Sequence, residues 1–238
     1  MSSPRIALIH ATPLAIEPVN SSFKKLWPEA SLQNILDDSL SKDHAAVGHL
    51  TADMVERFID LAQYAKRAGC QGILFTCSAF GEAIEAAASA VGIPTLKPNE
   101  AMFEDALRVA LEAHQNDAAT LNIGLVATFA ASIVSMSEEF NSLTAGHGVG
   151  LGIGNSGTVK LHSLFVPHAM DALAQGHADQ HHRLVAEGIQ TMPNCDVIML
   201  AQFSMAAAQT LAQSQTTATI LTSPECAVLA LQKRMKNV

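Results

Sequence analysis

Thr76-Cys77-Ser78 stands between the apolar run Gly72-Ile73-Leu74-Phe75 and the small-residue stretch Ala79-Phe80-Gly81-Glu82-Ala83. A short apolar run followed by helix-forming residues reads as a buried strand handing over to a helix. A thiol at that crossing meets the backbone N–H groups of a helix N-terminus, which favour its thiolate form. Open α/β sheets place their ligands and reactive groups at the carboxyl ends of such strands.

The elements that would hold this tripeptide alternate along the chain. Strand patterns cover residues 5–10, 31–36, 72–76 and 93–96. Thr51 to Ala68 carries apolar residues at helical spacing and stops at Gly69. Ala79 to Val91 is an Ala-rich helix, and Asn99 caps another that runs to about His114. A second series follows, with strands over 121–127, 160–166, 195–201 and 219–221 and helices over 132–143, 177–192, 205–212 and 224–235. This order specifies an α/β fold of parallel sheets covered by helices on both faces. The expected division is an N-terminal half, 1–118, carrying Cys77, and a C-terminal half, 119–238, with the linking or closing helices free to pack across.

The two halves echo each other. Cys70-Gln-Gly-Ile-Leu-Phe-Thr-Cys-Ser-Ala and Cys195-Asp-Val-Ile-Met-Leu-Ala-Gln-Phe-Ser-Met-Ala are both strand-to-helix crossings. Each leads at similar distance into strand, polar turn and helix, at Thr95 to Ala101 and at Ile220 to Cys226. With one inserted residue, Cys77-Ser78 aligns with Phe203-Ser204; without it, Cys77 aligns with Gln202.

On these residues, together with Ile123-Gly124-Leu125-Val126-Ala127-Thr128 and Leu200-Ala201-Gln202-Phe203-Ser204-Met205, the chain resembles the cofactor-independent aspartate/glutamate/hydantoin racemase superfamily. Arylmalonate decarboxylase and maleate cis-trans isomerase belong there too. The resemblance implies two pseudo-symmetric flavodoxin-like halves, an active site in the cleft between them, no cofactor and no metal. It implies a thiol at each crossing, one taking the α-proton of an acid and the other returning a proton on the opposite face. A homo-oligomer, dimer or larger, is a further implication.

Proton removal beside a carboxylate makes an enediolate, whose charge needs fixed N–H and O–H donors. Ser78, Thr128 and Ser204 are the candidate hydroxyls, with Thr76 beside the thiol and Thr128 at the position of the family's carboxylate-binding Thr. Cys77 is the candidate catalytic thiol. Where the family has its second cysteine this chain has Phe203, or Gln202 without the insertion, and neither exchanges a proton at neutral pH. Phe203 would wall one face of the pocket. The opening that glutamate racemases use near the substrate amine is replaced by His10-Ala11-Thr12-Pro13, and Ala131 replaces a second Thr, so an amino-acid substrate is less firmly indicated.

A single thiol suits three reactions: protonating an enediolate after decarboxylation, adding to an activated double bond during cis-trans isomerisation, or racemising with His10 as the second acid. Outside enzymes, the alternative is a carboxylate-binding protein without turnover.

Composition excludes other classes. A formal charge of -8, one Trp, one Tyr and no long Lys/Arg cluster argue against a nucleic-acid surface. No stretch approaches the apolar length of a membrane span and no secretory leader is apparent, so a cytoplasmic protein without membrane contact is expected. Cys70, Cys195 and Cys226 read as small buried hydrophobes. Gly152-Ile-Gly154-Asn-Ser-Gly157 has dinucleotide-loop spacing but leads into a strand pattern, so residues 146–157 read as a loop. His177, His181 and His182 read as a solvated helix face rather than a metal site.

Overall fold

The computed structural model describes residues 3–114, 120–147 and 158–236. Its elements run β1 (Arg5–His10), α1 (Ile16–Leu26), β2 (Ser31–Leu36), α2 (Ser39–Val47), α3 (Ala52–Arg67), β3 (Gly72–Phe75), α4 (Gly81–Val91), β4 (Thr95–Leu96) and α5 (Glu100–Ala113). They continue with β5 (Thr120–Ala127), α6 (Ala130–His147), β6 (Thr158–Phe165), α7 (Ala169–Ala174), α8 (Ala178–Ile189), β7 (Val197–Leu200), α9 (Gln209–Gln213), β8 (Thr219–Thr222) and α10 (Ser223–Lys236).

The strands form two parallel four-stranded sheets, ordered β2-β1-β3-β4 and β6-β5-β7-β8. β1 and β5 are the first strands of their sheets in the chain and lie inside them, so the order reverses between β1 and β3, and again between β5 and β7. In this doubly wound arrangement the reversal opens a crevice at the carboxyl ends of those two strands. β3 and β7 are buried along their whole length, as strands covered on both faces must be, whereas the edge strand β2 is partly exposed.

Residues 1–100 with 224–238 form one compact unit and residues 101–223 the other. The linking helix α5 thus packs with the second unit, and the closing helix α10 returns to the first. Gly72 makes that return possible. A Cβ there would stand 2.8 Å from Met235 Sδ and 3.4 Å from Leu231 Cδ1, both on α10.

In the first unit, α3 shows how sequence builds the frame of the thiol. Thr51 caps it, accepting from the Met54 N–H at 3.3 Å, and Met54, Phe58, Ala62 and Ala65 form its buried stripe. Phe58 packs on Phe75 at 5.3 Å and on Phe80 at 4.8 Å between ring centroids. Those two rings flank Thr76-Cys77-Ser78, so one helix pins the crossing from both sides, each aromatic pair adding about 0.5–1.5 kcal/mol. The core of the second unit gathers Val126, Val185, Ile189, Leu200 and Met205 around β5, β7 and α8.

Three helices, α1, α2 and α7, have no counterpart in the sequence reading. The histidine assignment needs correction as well. His177 is exposed, but His181 is fully buried on the inner face of α8 with Val185 and Ile189, and donates from Nδ1 to Ala169 O at 2.9 Å. Among the described residues no three His, Cys, Asp or Glu side chains converge as metal ligands, and no helix is long and apolar enough to cross a membrane. The 146–157 loop lies almost wholly outside the described residues.

Candidate active site

Cys77 is the residue where β3 gives way to a short 3-10 turn, Ser78–Phe80, and it has extended backbone angles, φ -122° and ψ 121°. It is half-buried, whereas Cys70, Cys195 and Cys226 are buried. Its sulfur accepts from the Ala79 N–H and lies in hydrogen-bonding contact with Ser41 of α2. The Ser41 hydroxyl donates to Ala11 O at 2.8 Å. The same hydroxyl lies beside the sulfur and favours its thiolate form.

Burial and hydrogen bonding oppose each other at this sulfur, and burial wins. Desolvation raises the Cys77 pKa, the Ala79 N–H and the Ser41 hydroxyl offset part of that, and the net direction is upward. Cys77 is therefore a protonated thiol at neutral pH, not the thiolate expected from its place before a helix. Only a three-residue 3-10 turn follows it directly, so little helix dipole is aligned on the sulfur.

His10 ends β1 next to this crossing but is fully buried. Its Nδ1 is 2.9 Å from Thr76 Oγ1 and its Nε2 is 2.9 Å from Asn34 Oδ1 on β2. Burial lowers its pKa, with the Asn34 bond working against that. The neutral ring then donates from Nε2 to Asn34 and accepts at Nδ1 from the Thr76 hydroxyl. Both nitrogens are occupied in tying β1 to β2 and to the start of the crossing, and Thr76 is spent on the same lock.

The second unit has the same backbone plan with different side chains. In the first unit Thr76 N–H donates to Ile9 O and Asp37 N–H donates to His10 O, both at 3.0 Å. In the second, Ala201 N–H donates to Val126 O and Val166 N–H donates to Ala127 O, both at 2.9 Å. Ile9 thus corresponds to Val126, Thr76 to Ala201, and Cys77 to Gln202. Gln202 also repeats the extended conformation of Cys77, φ -103° and ψ 146°, and precedes a 3-10 turn in the same way. The alignment that inserted one residue and set Phe203 opposite Cys77 is corrected: the counterpart of the thiol is Gln202. Phe203 lies one position on and is buried, and it corresponds to Ser78.

Thr128, at the end of β5, is buried, and both its backbone N–H and its hydroxyl donate to Gln202 Oε1, at 3.0 and 3.2 Å. The donor pair that the resemblance assigns to a substrate carboxylate is engaged by a side-chain carbonyl. Ser78 and Ser204 are half-buried members of their 3-10 turns. Sequence reading missed Ser41, which reaches Cys77 from α2, and His44 one turn on, whose ring meets Phe80 edge-on at 5.0 Å. No motif marks either; only the path of α2 brings them to the crossing.

Compared by sequence, the chain matches no family model and no curated protein. Compared by structure, it resembles a glutamate racemase from Bacillus anthracis with a TM-score of 0.67 at 15% identity, over 100% of this chain and 83% of that one. Arylmalonate decarboxylase gives 0.63 at 14% identity, over 98% and 92%. Allantoin racemase from Klebsiella pneumoniae gives 0.61 at 14% identity, over 97% and 87%. The chain shares its fold with these racemases and this decarboxylase, two α/β halves each built on a four-stranded parallel sheet.

Proposed function

We propose that this protein is a cofactor-independent enzyme of racemase-like type that transfers a proton at the carbon beside the carboxylate of a small acid, with Cys77 as the transferring thiol. The observation that carries this reading is the half-buried Cys77 at the sheet's switch point, beside Ala79 N–H and Ser41. A racemase-like turnover passes the α-proton to a hydroxide ion, which becomes water, leaves the electron pair on the acid as an enediolate, and returns a proton to carbon from S–H, the thiolate then taking one from water and regenerating hydroxide.

Gln202 favours one version of this chemistry. A carboxamide neither gives nor takes a proton near neutral pH, so Gln202 cannot act as the second thiol of a two-thiol racemase. In the one-sided version the enediolate arises by decarboxylation. The bond from the α-carbon to one carboxylate breaks, carbon dioxide leaves, the electron pair stays on the remaining acid, and the Cys77 proton goes to carbon from a single face.

Incubation in deuterated water with glutamate, aspartate, maleate and phenylmalonate separates the outcomes. Racemisation puts solvent deuterium at the α-carbon of recovered substrate. Decarboxylation releases carbon dioxide and gives a monodeuterated product of one hand. Cys77→Ala should lower either turnover at least ~100-fold, in the range of a general acid's contribution; turnover retained by that variant refutes the assignment, and binding without turnover supports the non-enzymatic alternative.

A further inference from the structure

The side chain that replaces the thiol is held in one orientation by a group that can only donate. A backbone N–H has no lone pair, so the Thr128 N–H at 3.0 Å fixes the near atom of the Gln202 carboxamide as its oxygen. The Thr128 hydroxyl at 3.2 Å adds a second bond to the same oxygen. The amide nitrogen must therefore point away from Thr128, and Gln202 Nε2 is buried without a hydrogen-bond partner among the described residues. Buried donors are nearly always paired, so one left open in a well-made site asks for an acceptor. Gln202 as a residue is only half-buried, just past the carboxyl end of β7.

We propose that Gln202 is a substrate-binding residue: its Nε2–H donates to a carboxylate oxygen of the small acid. Thr128 is then a positioning residue, which sets the carboxamide and does not itself bind the substrate. The inference rests on the proposed function, since it needs an anionic oxygen to arrive. It assigns the second crossing a task that the thiol could not perform, because a sulfhydryl is a weak hydrogen-bond donor and an amide N–H a better one. It also narrows the ligand, because an oxygen acceptor satisfies Nε2 and an ammonium group does not.

The discriminating variant is Gln202→Glu. One carboxylate oxygen keeps both bonds from Thr128, so the local frame survives, while the other oxygen replaces the donor with a negative charge. Binding of the four acids named above to the intact protein is measured first, by ligand-observed NMR and calorimetry, with Gln202 followed through its side-chain amide signals. The expected result is a shift of that amide on binding, about 10-fold weaker binding by Gln202→Leu and at least ~100-fold weaker binding by Gln202→Glu. Fold is checked for both by circular dichroism, and Gln202→Glu remains decisive should Gln202→Leu fail to fold. Wild-type binding matched within about threefold by Gln202→Glu overturns the inference and leaves the proposed function standing. Tighter binding by Gln202→Leu also overturns it, since the carboxamide would then be blocking the Thr128 donors. If the wild type neither binds nor turns over any of the acids, the proposed function falls and the inference falls with it.

Discussion

Replacing Thr76 with Val takes one oxygen from the lock beside Cys77. His10 Nδ1 loses its partner at 2.9 Å, while Ile9 O keeps the Thr76 N–H at 3.0 Å, so the net change is one orphaned atom on a fully buried ring. Valine fills the shape of threonine, which leaves no cavity to add, and an unpaired buried polar group costs about 1–3 kcal/mol. His10→Leu removes the ring, but the Thr76 hydroxyl still has Ile9 O within reach at 3.4 Å and is not stranded. The double variant lacks both ring and hydroxyl, and Asn34 is exposed enough to turn to water, so no buried polar atom is orphaned and its loss should fall short of the sum of the single losses by roughly 1–2 kcal/mol. Urea unfolding followed by circular dichroism at about pH 8, where the ring is neutral both folded and unfolded, gives the midpoints and slopes for the cycle. Losses that add within about 0.5 kcal/mol would refute the lock and return His10 to the list of candidate second acids.

Two more consequences follow from the directions of the pKa shifts. Burial holds His10 and His181 below their ordinary value of 6.5, so below that pH the unfolded chain takes up protons that the folded chain refuses. Stability should be full above about pH 6.5 and fall as pH drops from there toward the folded values, by up to about 1.4 kcal/mol per pH unit for each ring. His181→Leu should flatten that fall, and wild-type stability unchanged between pH 7 and 5 would contradict it. The raised pKa of Cys77 makes its alkylation by iodoacetamide slow at neutral pH and faster into the alkaline range, as peptide mass mapping can follow. Ser41→Ala removes a bond that favours the thiolate and should slow labelling further at a given pH; labelling at pH 7 faster than that of a cysteine in an unfolded peptide would show that burial had been misjudged.

The sheets were legible in the sequence because β1, β3, β5 and β7 are apolar along most of their length, the mark of strands covered on both faces. α3 was legible because its buried stripe is strictly periodic. α1 was not: Pro18, Asn20, Ser21 and Ser22 give it weak helix propensity, and its helicity comes from burying Val19 and Phe23. α2 buries Leu40 alone and ends at Gly48, whose φ of 79° suits a residue without a Cβ. α7 is only six residues long. Ser41 was lost with α2, so the hydroxyl beside Cys77 was invisible while the thiol itself was plain.

The one-residue error at the second crossing has a physical cause. Phe203-Ser204 resembles Cys77-Ser78 locally because both keep a hydroxyl after the strand, but the position of a residue at a strand end is set by ladder hydrogen bonds to a neighbour far away in sequence. For Gln202 that neighbour is β5, more than seventy residues earlier: the Ala201 N–H to Val126 O bond fixes the register, and Thr128 then fixes the carboxamide. The correction alters the chemistry as well as the alignment. A phenyl ring at the thiol's position would only have shaped a wall, leaving charge on an enediolate to be met by hydroxyls. A clamped carboxamide places a neutral donor there, able to hold negative charge without ever exchanging a proton. If Cys77 is the single proton donor, protonation from one face must yield a product of a single hand. A racemic product formed at the rate of turnover would therefore count against a one-thiol reaction even if Cys77 proved essential.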